Sequence, residues 1–283
     1  MCRGLLIVQS TGSIKWSTKV LGSHEDRGEK AVQLKRIGTS ILCWIGLALV
    51  SQAELVTLYD GSGLPASQPW LTFAADTLNG WSQTGVSGGV RLTTDLATRS
   101  GYSNYSPFPT PVLKNANFPA LQRANGFDLS FRATVLTENH SSTNRAGYSV
   151  ILLADDRRGI ELGFWQSEIW AQNSDFTHAE GVAIDTTSTR DYRLEIIGDQ
   201  YRLFEGTSSL LSGSLRTYTN PAIPYTLPNY VFLGDNTTSA SAMIVQGAIQ
   251  LRTDLNSVPE PSSVLLVSIL GLVGAARWVH SKR

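Results

Sequence analysis

Hydrophobic and polar positions alternate through the middle of the chain. Phe127, Leu129, Phe131, Ala133 and Val135 are separated by Asp128, Ser130, Arg132 and Thr134, the period-two signature of a strand with one buried face. "GYSVILLADDRRGIELGFW" contains two such runs joined by a polar turn at 155–159, and "EIWAQ", after Gln166 and Ser167, completes a three-stranded meander. "DYRLEIIGDQYRLFEG" reads as a hairpin folded at Gly198 and Asp199, a pair suited to positive φ. "YVFLGD" and "AMIVQGAIQLR" add two more strands. No segment of residues 54–257 shows a convincing amphipathic helix. About ten to fourteen short strands with polar turns predict an all-β body, a two-sheet antiparallel β-sandwich.

The two ends break this pattern with continuous apolar runs. Lys35 and Arg36 precede the apolar stretch 37–50, which ends in Ser51, Gln52 and Ala53. That is the charged, apolar and small-residue order of a secretory signal peptide, cut after Ala53. Residues 1–36 form either a long charged leader or a stretch upstream of the true start, since Met1 and Met243 are the only methionines. Residues 54–257 are the body, long enough for one domain burying roughly 70% of its unfolded surface. Residues 258–283 form a tail: Pro259 and Pro261 bracket Glu260, the stretch 264–279 is almost wholly apolar, and Arg277, His280, Lys282 and Arg283 close it. The apolar stretch is just under the usual spanning length, with positive charge on what would be its cytoplasmic side. Two prolines hold the preceding segment extended, as an accessible recognition peptide requires. The expected architecture is therefore the sandwich plus an N-terminal signal helix and a C-terminal transmembrane helix.

Val258-Pro259-Glu260-Pro261, an apolar helix and an Arg/Lys tip, in that order, resemble the PEP-CTERM sorting signal of exosortase substrates. The resemblance implies export by the Sec machinery, membrane attachment through the tail helix before processing, cleavage by an exosortase near the Pro-Glu-Pro, and a final place at the cell surface or outside the cell. In the body, "LYDGSGLPASQPWLTF", "ENHSSTNRAGYSVILL", "GIELGFWQSEIWAQ", "FTHAEGVAIDTT" and "FLGDNTTSASA" resemble the choice-of-anchor Y domain, and the segment 127–216 is similar to a concanavalin A-like or laminin-G-like jelly roll. These likenesses imply surface attachment and a jelly-roll sandwich. They are silent on activity.

Charge narrows the partners. The whole chain balances 23 Arg plus Lys against 23 Asp plus Glu, but the body alone has 13 basic and 19 acidic residues, with Lys114 its single lysine. Such a domain would repel a phosphate backbone, so nucleic acid is excluded as the expected partner. Both cysteines, Cys2 and Cys43, precede the body, which must be held by its own core.

Candidate chemistry is sparse. Gly85, Ser87 and Gly89 fit G-x-S-x-G, but a nucleophile elbow needs a helix after it, and "GVRLTTD" reads as a strand, so Gly88 and Gly89 are expected in a turn. Jelly-roll glycosidases need paired carboxylates; Glu161 and Glu168 flank the Gln166-Ser167 turn, beside which surface carboxylates are common. Asp175, His178 and Glu180 in "DFTHAEG" are a poor zinc set. Calcium is the cofactor the sequence admits, through the oxygen donors Asp155, Asp156 and Asp235. Trp165 and Trp170, with Glu161, His178 and Glu180 nearby, are candidate contacts for a sugar ring, although sandwich cores also use tryptophan and a long loop also needs paired polar groups. The expected function is a noncatalytic body binding glycan or exopolysaccharide. A purely structural matrix component and a glycoside hydrolase are the alternatives.

Overall fold

The computed structural model describes residues 53–106, 110–218 and 223–256. The signal helix, the Pro259, Glu260 and Pro261 motif and the C-terminal helix lie outside them. The chain runs through β1 (Leu55–Tyr59), a short 3-10 turn (Pro65–Ser67), β2 (Thr72–Ala75), β3 (Trp81–Val86), β4 (Gly89–Thr94), β5 (Ser100–Ser103), β6 (Tyr105–Ser106) and β7 (Val112–Leu113). It continues with β8 (Phe127–His140), β9 (Ser149–Leu153), β10 (Gly159–Phe164), β11 (Glu168–Gln172) and β12 (His178–Ala183). The last strands are β13 (Arg190–Ile197), β14 (Gln200–Glu205), β15 (Ser208–Ser214), β16 (Tyr230–Asp235) and β17 (Ala240–Thr253).

Two antiparallel sheets result. One has eight strands in the order β15-β14-β13-β8-β17-β4-β3, with β1 also paired to β17; the other has seven in the order β12-β11-β10-β9-β16-β5-β2. β6 and β7 form a separate ribbon. The long strands β8 and β17 lie side by side at the centre of the first sheet, and β17 bulges between Gln246 and Ile249. The meander of the second sheet is β9, β10 and β11, in register through Leu162 with Val150 and Ala171. Gly198, at φ 58°, folds β13 back onto β14, a left-handed conformation a glycine adopts without steric cost.

Alternation decides what each face carries. Phe127, Leu129, Phe131, Ala133 and Val135 of β8 all enter the core, joined by Val150 and Leu152, Ile160, Leu162 and Phe164, Ile169 and Ala171, and Val231 and Leu233 of the facing sheet. Each of the larger of these side chains contributes about 1.5–3 kcal/mol on burial. Because the strand period is two, the residues between them point away from the core. On the seven-stranded sheet these are Ser149, Ile151 and Leu153, Glu161 and Gly163, Trp170 and Gln172, and Tyr230 and Phe232. That outer face is not left to water: Ile151, Leu153, Tyr230 and Phe232 pack with Tyr105, Tyr218 and Tyr225 into a second apolar cluster, flanked by Phe176. The described part of the loop between β15 and β16 and the β11–β12 turn thus cover part of the sheet and leave part of it open.

Candidate functional site

The open part is a pocket of about 190 Å³ on the outer face of the seven-stranded sheet. Glu161 and Gly163 of β10, Trp170 and Gln172 of β11 and Ser149 of β9 form its floor, and Arg145, Phe176, Tyr225 and Asn236 stand around it. Glu161 is only 5% exposed. Tyr225 donates its phenolic hydrogen to Glu161 Oε2, and Asn236 Nδ2 donates to the Tyr225 oxygen at 2.9 Å. With its amide oriented to match its neighbours, Gln172 donates to Glu161 Oε2 at 2.6 Å and accepts from Arg145 Nη1 at 3.1 Å. The Glu161 backbone N–H donates to Tyr218 Oη at 2.7 Å. Burial pushes the Glu161 carboxyl above the usual range, against the opposing pull of Tyr225, Ser149, Asn236 and the Arg145 charge.

Arg145 is fixed from both sides. Its Nη1 donates to the carbonyls of Asn144 at 2.6 Å and Phe176 at 2.7 Å, and its own carbonyl accepts from Trp165 Nε1 at 2.8 Å. Trp170 lies across Gly163, where a Cβ would come within 2.7 Å of the indole ring, so only glycine leaves room for it there. Trp170 is 1% exposed, and its Nε1 is buried with no hydrogen-bond partner among the described residues.

The expected site residues separate into those the fold brings to this pocket and those it does not. Glu161 and Trp170 line it. Trp165 and His178 stand behind it in an aromatic stack: His140 lies on Trp165 at 4.3 Å and 10°, and His178 lies on Trp170 at 4.4 Å and 22°. His178 Nε2 also pairs with Glu168 Oε1 at 3.1 Å. Imidazoles therefore occupy an indole face on each tryptophan, and Trp170 meets the pocket by its edge. Glu180 lies elsewhere, accepting from Tyr201 Oη at 2.7 Å and from Arg216 Nη2 at 2.7 Å. Its segment, expected as a loop, is the edge strand β12.

The three acidic residues expected to gather around calcium do not converge. Asp155 and Asp156 follow the Leu153 end of β9, whereas Asp235 lies beside its Ser149 end, because β16 pairs Tyr230 with Leu153 and Gly234 with Ser149. At ~3.3 Å per residue this is a separation of roughly 15–20 Å. Asp156 is paired with Arg123 at 2.5 Å. Asp235 points between the sheets, where it accepts from Thr94 Oγ1 at 2.7 Å and the Thr237 N–H at 3.0 Å. The Gly85, Ser87 and Gly89 string is a β3–β4 hairpin, with Val86 opposite Gly89, as expected of a turn.

Tyr225 and Gln172 did not stand out in the sequence. Gln172 carries one signal, its place two residues after Trp170 on the same strand face. Tyr225 carries none, since it reaches Glu161 across 64 positions of chain.

No family model and no curated protein sequence matches the chain. Among solved structures it is similar to a carbohydrate esterase from the Shiga toxin-encoding bacteriophage phi24B, with 13% identity over 71% of this chain and 100% of that one, at a TM-score of 0.48. It is also similar to the exoplasmic/lumenal domain of VIP36 in its Ca2+/Man3GlcNAc-bound form, with 13% identity, 71% and 87% coverage and a TM-score of 0.38. A third is the CBM2 module of the Lactobacillus casei BL23 phage J-1 evolved Dit, with 10% identity, 72% and 99% coverage and a TM-score of 0.40.

Proposed function

We propose that the chain is an exported cell-surface or extracellular-matrix protein whose noncatalytic body, a concanavalin A-like jelly roll, binds saccharide in the pocket around Glu161. The observation that carries this is the buried cluster of Glu161, Tyr225, Gln172 and Arg145 under an opening on a sheet face. Burying a carboxyl is expensive unless it is hydrogen-bonded, and a face that served packing alone would be filled with apolar side chains. A buried carboxyl held among convergent polar groups in a concave site is instead the arrangement of a ligand pocket. Among the described lining residues Glu161 is the one carboxylate, which lends no support to paired-carboxylate hydrolysis.

The ends of the chain supply the route. The charged, apolar and small-residue order before Glu54 fits Sec export, and the Pro259, Glu260 and Pro261 motif with its apolar helix fits membrane retention followed by exosortase cleavage. The choice-of-anchor Y resemblance agrees with such a surface protein. A purely structural matrix role is favoured by a different observation, the capping of Trp165 and Trp170 by histidines, which withdraws indole faces from sugar stacking.

The full chain in mild detergent, applied to a glycan array and to the producer's own polysaccharide in pull-down, tests these readings. Selective capture of one saccharide class is the expected result. Capture of nothing tighter than about millimolar, a free energy near −4 kcal/mol, overturns saccharide binding and leaves the structural role.

A further inference from the structure

The hydrogen-bonding capacity of the pocket is unevenly spent. Glu161 Oε2 already receives Tyr225 and Gln172, and the Ser149 and Asn236 side chains lower the pKa of the same carboxyl. Unspent donors stand beside it. Trp170 Nε1–H is buried, has no acceptor among the described residues and belongs to a side chain lining the pocket. An indole nitrogen donates only, so an acceptor from outside the protein is what completes it. Beside it, the bonds of Arg145 to Asn144, Phe176 and Gln172 all use Nη1, and a guanidinium carries further N–H donors on Nε and Nη2. Arg99 also lines the pocket and is paired with Asp76 at 2.6 Å.

A neutral sugar hydroxyl is both donor and acceptor and is best met by a mixture of free acceptors and donors. An acceptor-only group suits donors alone. We propose that the pocket selects saccharides bearing a carboxylate, of the uronate type, with the carboxylate accepting from Trp170 Nε1 and the Arg145 guanidinium. This rests on the saccharide-binding reading and narrows it to an acidic class. Charge-assisted hydrogen bonds are about twice as strong as neutral ones, and arginine suits a carboxylate through paired parallel bonds. The acidic balance of the body opposes such a ligand at long range, but at physiological salt the Debye length is ~8 Å, so the donors lining the pocket dominate.

The decisive measurement needs no variant. Isothermal titration of the full chain in mild detergent would compare oligomers of galacturonate, glucuronate and mannuronate with their carboxyl-reduced counterparts and with a sulfated oligosaccharide. The expected result is binding of at least one oligouronate, about tenfold or more tighter than its carboxyl-reduced form. Trp170→Phe, which keeps the ring and removes the donor, should lower uronate affinity by a similar factor while leaving a cooperative thermal unfolding transition. Arg145→Gln should do the same where Trp170→Phe fails to fold. Equal binding of the reduced sugar, or unchanged uronate affinity in a folded Trp170→Phe chain, overturns the acidic class and leaves saccharide binding in place. Binding of the sulfated oligosaccharide without any uronate overturns the carboxylate assignment. Binding of no saccharide overturns both readings.

Discussion

Asp235 shows how a single side chain sets a condition on the fold. It is fully buried between the sheets, where it reaches Thr94 of β4, whose Oγ1 in turn accepts from the Ala242 N–H at 2.9 Å. Loss of hydration pushes its carboxyl up to about 8, with the Asp95 and Glu138 charges adding to the rise and the bonds from Thr94 and Thr237 opposing it. The folded state therefore holds this proton while the unfolded chain, near the ordinary value of about 4, has released it. Between those values folding is favoured by low pH, and stability falls as pH rises, by at most about 1.4 kcal/mol per unit from this group, levelling above about 8. Asp235→Asn keeps the shape and supplies an N–H where the protonated acid supplies an O–H. Denaturant unfolding of the full chain across pH 5 to 8 should show a falling stability in the parent and a flatter profile in the variant. Parallel profiles would place the pH response elsewhere, with Glu138, itself raised by burial and paired with His140 at 2.8 Å, as the next group to replace.

At the scale of strands, the edge between β12 and β15 depends on Glu180. Tyr201 of β14, fully buried, and Arg216, just after β15, both donate to it from the other sheet's side. Its removal in Glu180→Ala leaves a phenol and a guanidinium without their acceptor and should cost about 1–3 kcal/mol, read as a lowered denaturation midpoint with unchanged saccharide binding. A change in binding without a change in stability would return Glu180 to the pocket. This strand is also where reading the sequence fell short. β8 and the β13–β14 hairpin were legible because each alternates apolar with polar residues over a core face, and β9, β10 and β11 because short apolar runs there are bounded by polar turns. β12 is "HAEGVA", in which Val182 packs on the core and Glu180 reaches the other sheet, and β15 is "SSLLSGS", in which Leu211 alone is buried. Edge strands with one covered flank need little apolar content, so periodicity weakens there. The site was half visible for a related reason. Glu161 and Trp170 lie on strands the pattern located, with Gln172 on the same face two residues on, whereas Tyr218 and Tyr225 arrive on a loop whose placement follows from the folded sheet and from nothing local.

For the molecule as a whole, the question is what besides the core holds it. Residues 54–257 contain no cysteine, and among the described residues no group of three or more His, Cys, Asp or Glu is arranged to hold a metal ion. The carboxylates nearest to a calcium set are engaged or apart: Asp156 with Arg123, Asp235 with Thr94, one at each end of β9. A ligand that binds only the native state at a hundred times its dissociation constant adds about 2.7 kcal/mol to stability. For a body of this size each kcal/mol raises the melting temperature by about 2–4 °C, so a saturated calcium site would move the transition by roughly 5–10 °C. The two packed sheets and their cross-sheet ties account for cohesion without it. Scanning the full chain in mild detergent with excess calcium and again with EDTA should therefore give melting temperatures within about 1 °C of each other. An increase of several degrees with calcium would mean that an ion organises side chains from loops the sheet geometry leaves separate, and substitution of Asp155, which lies beside the Arg123 and Asp156 pair, would then be the first variant to make.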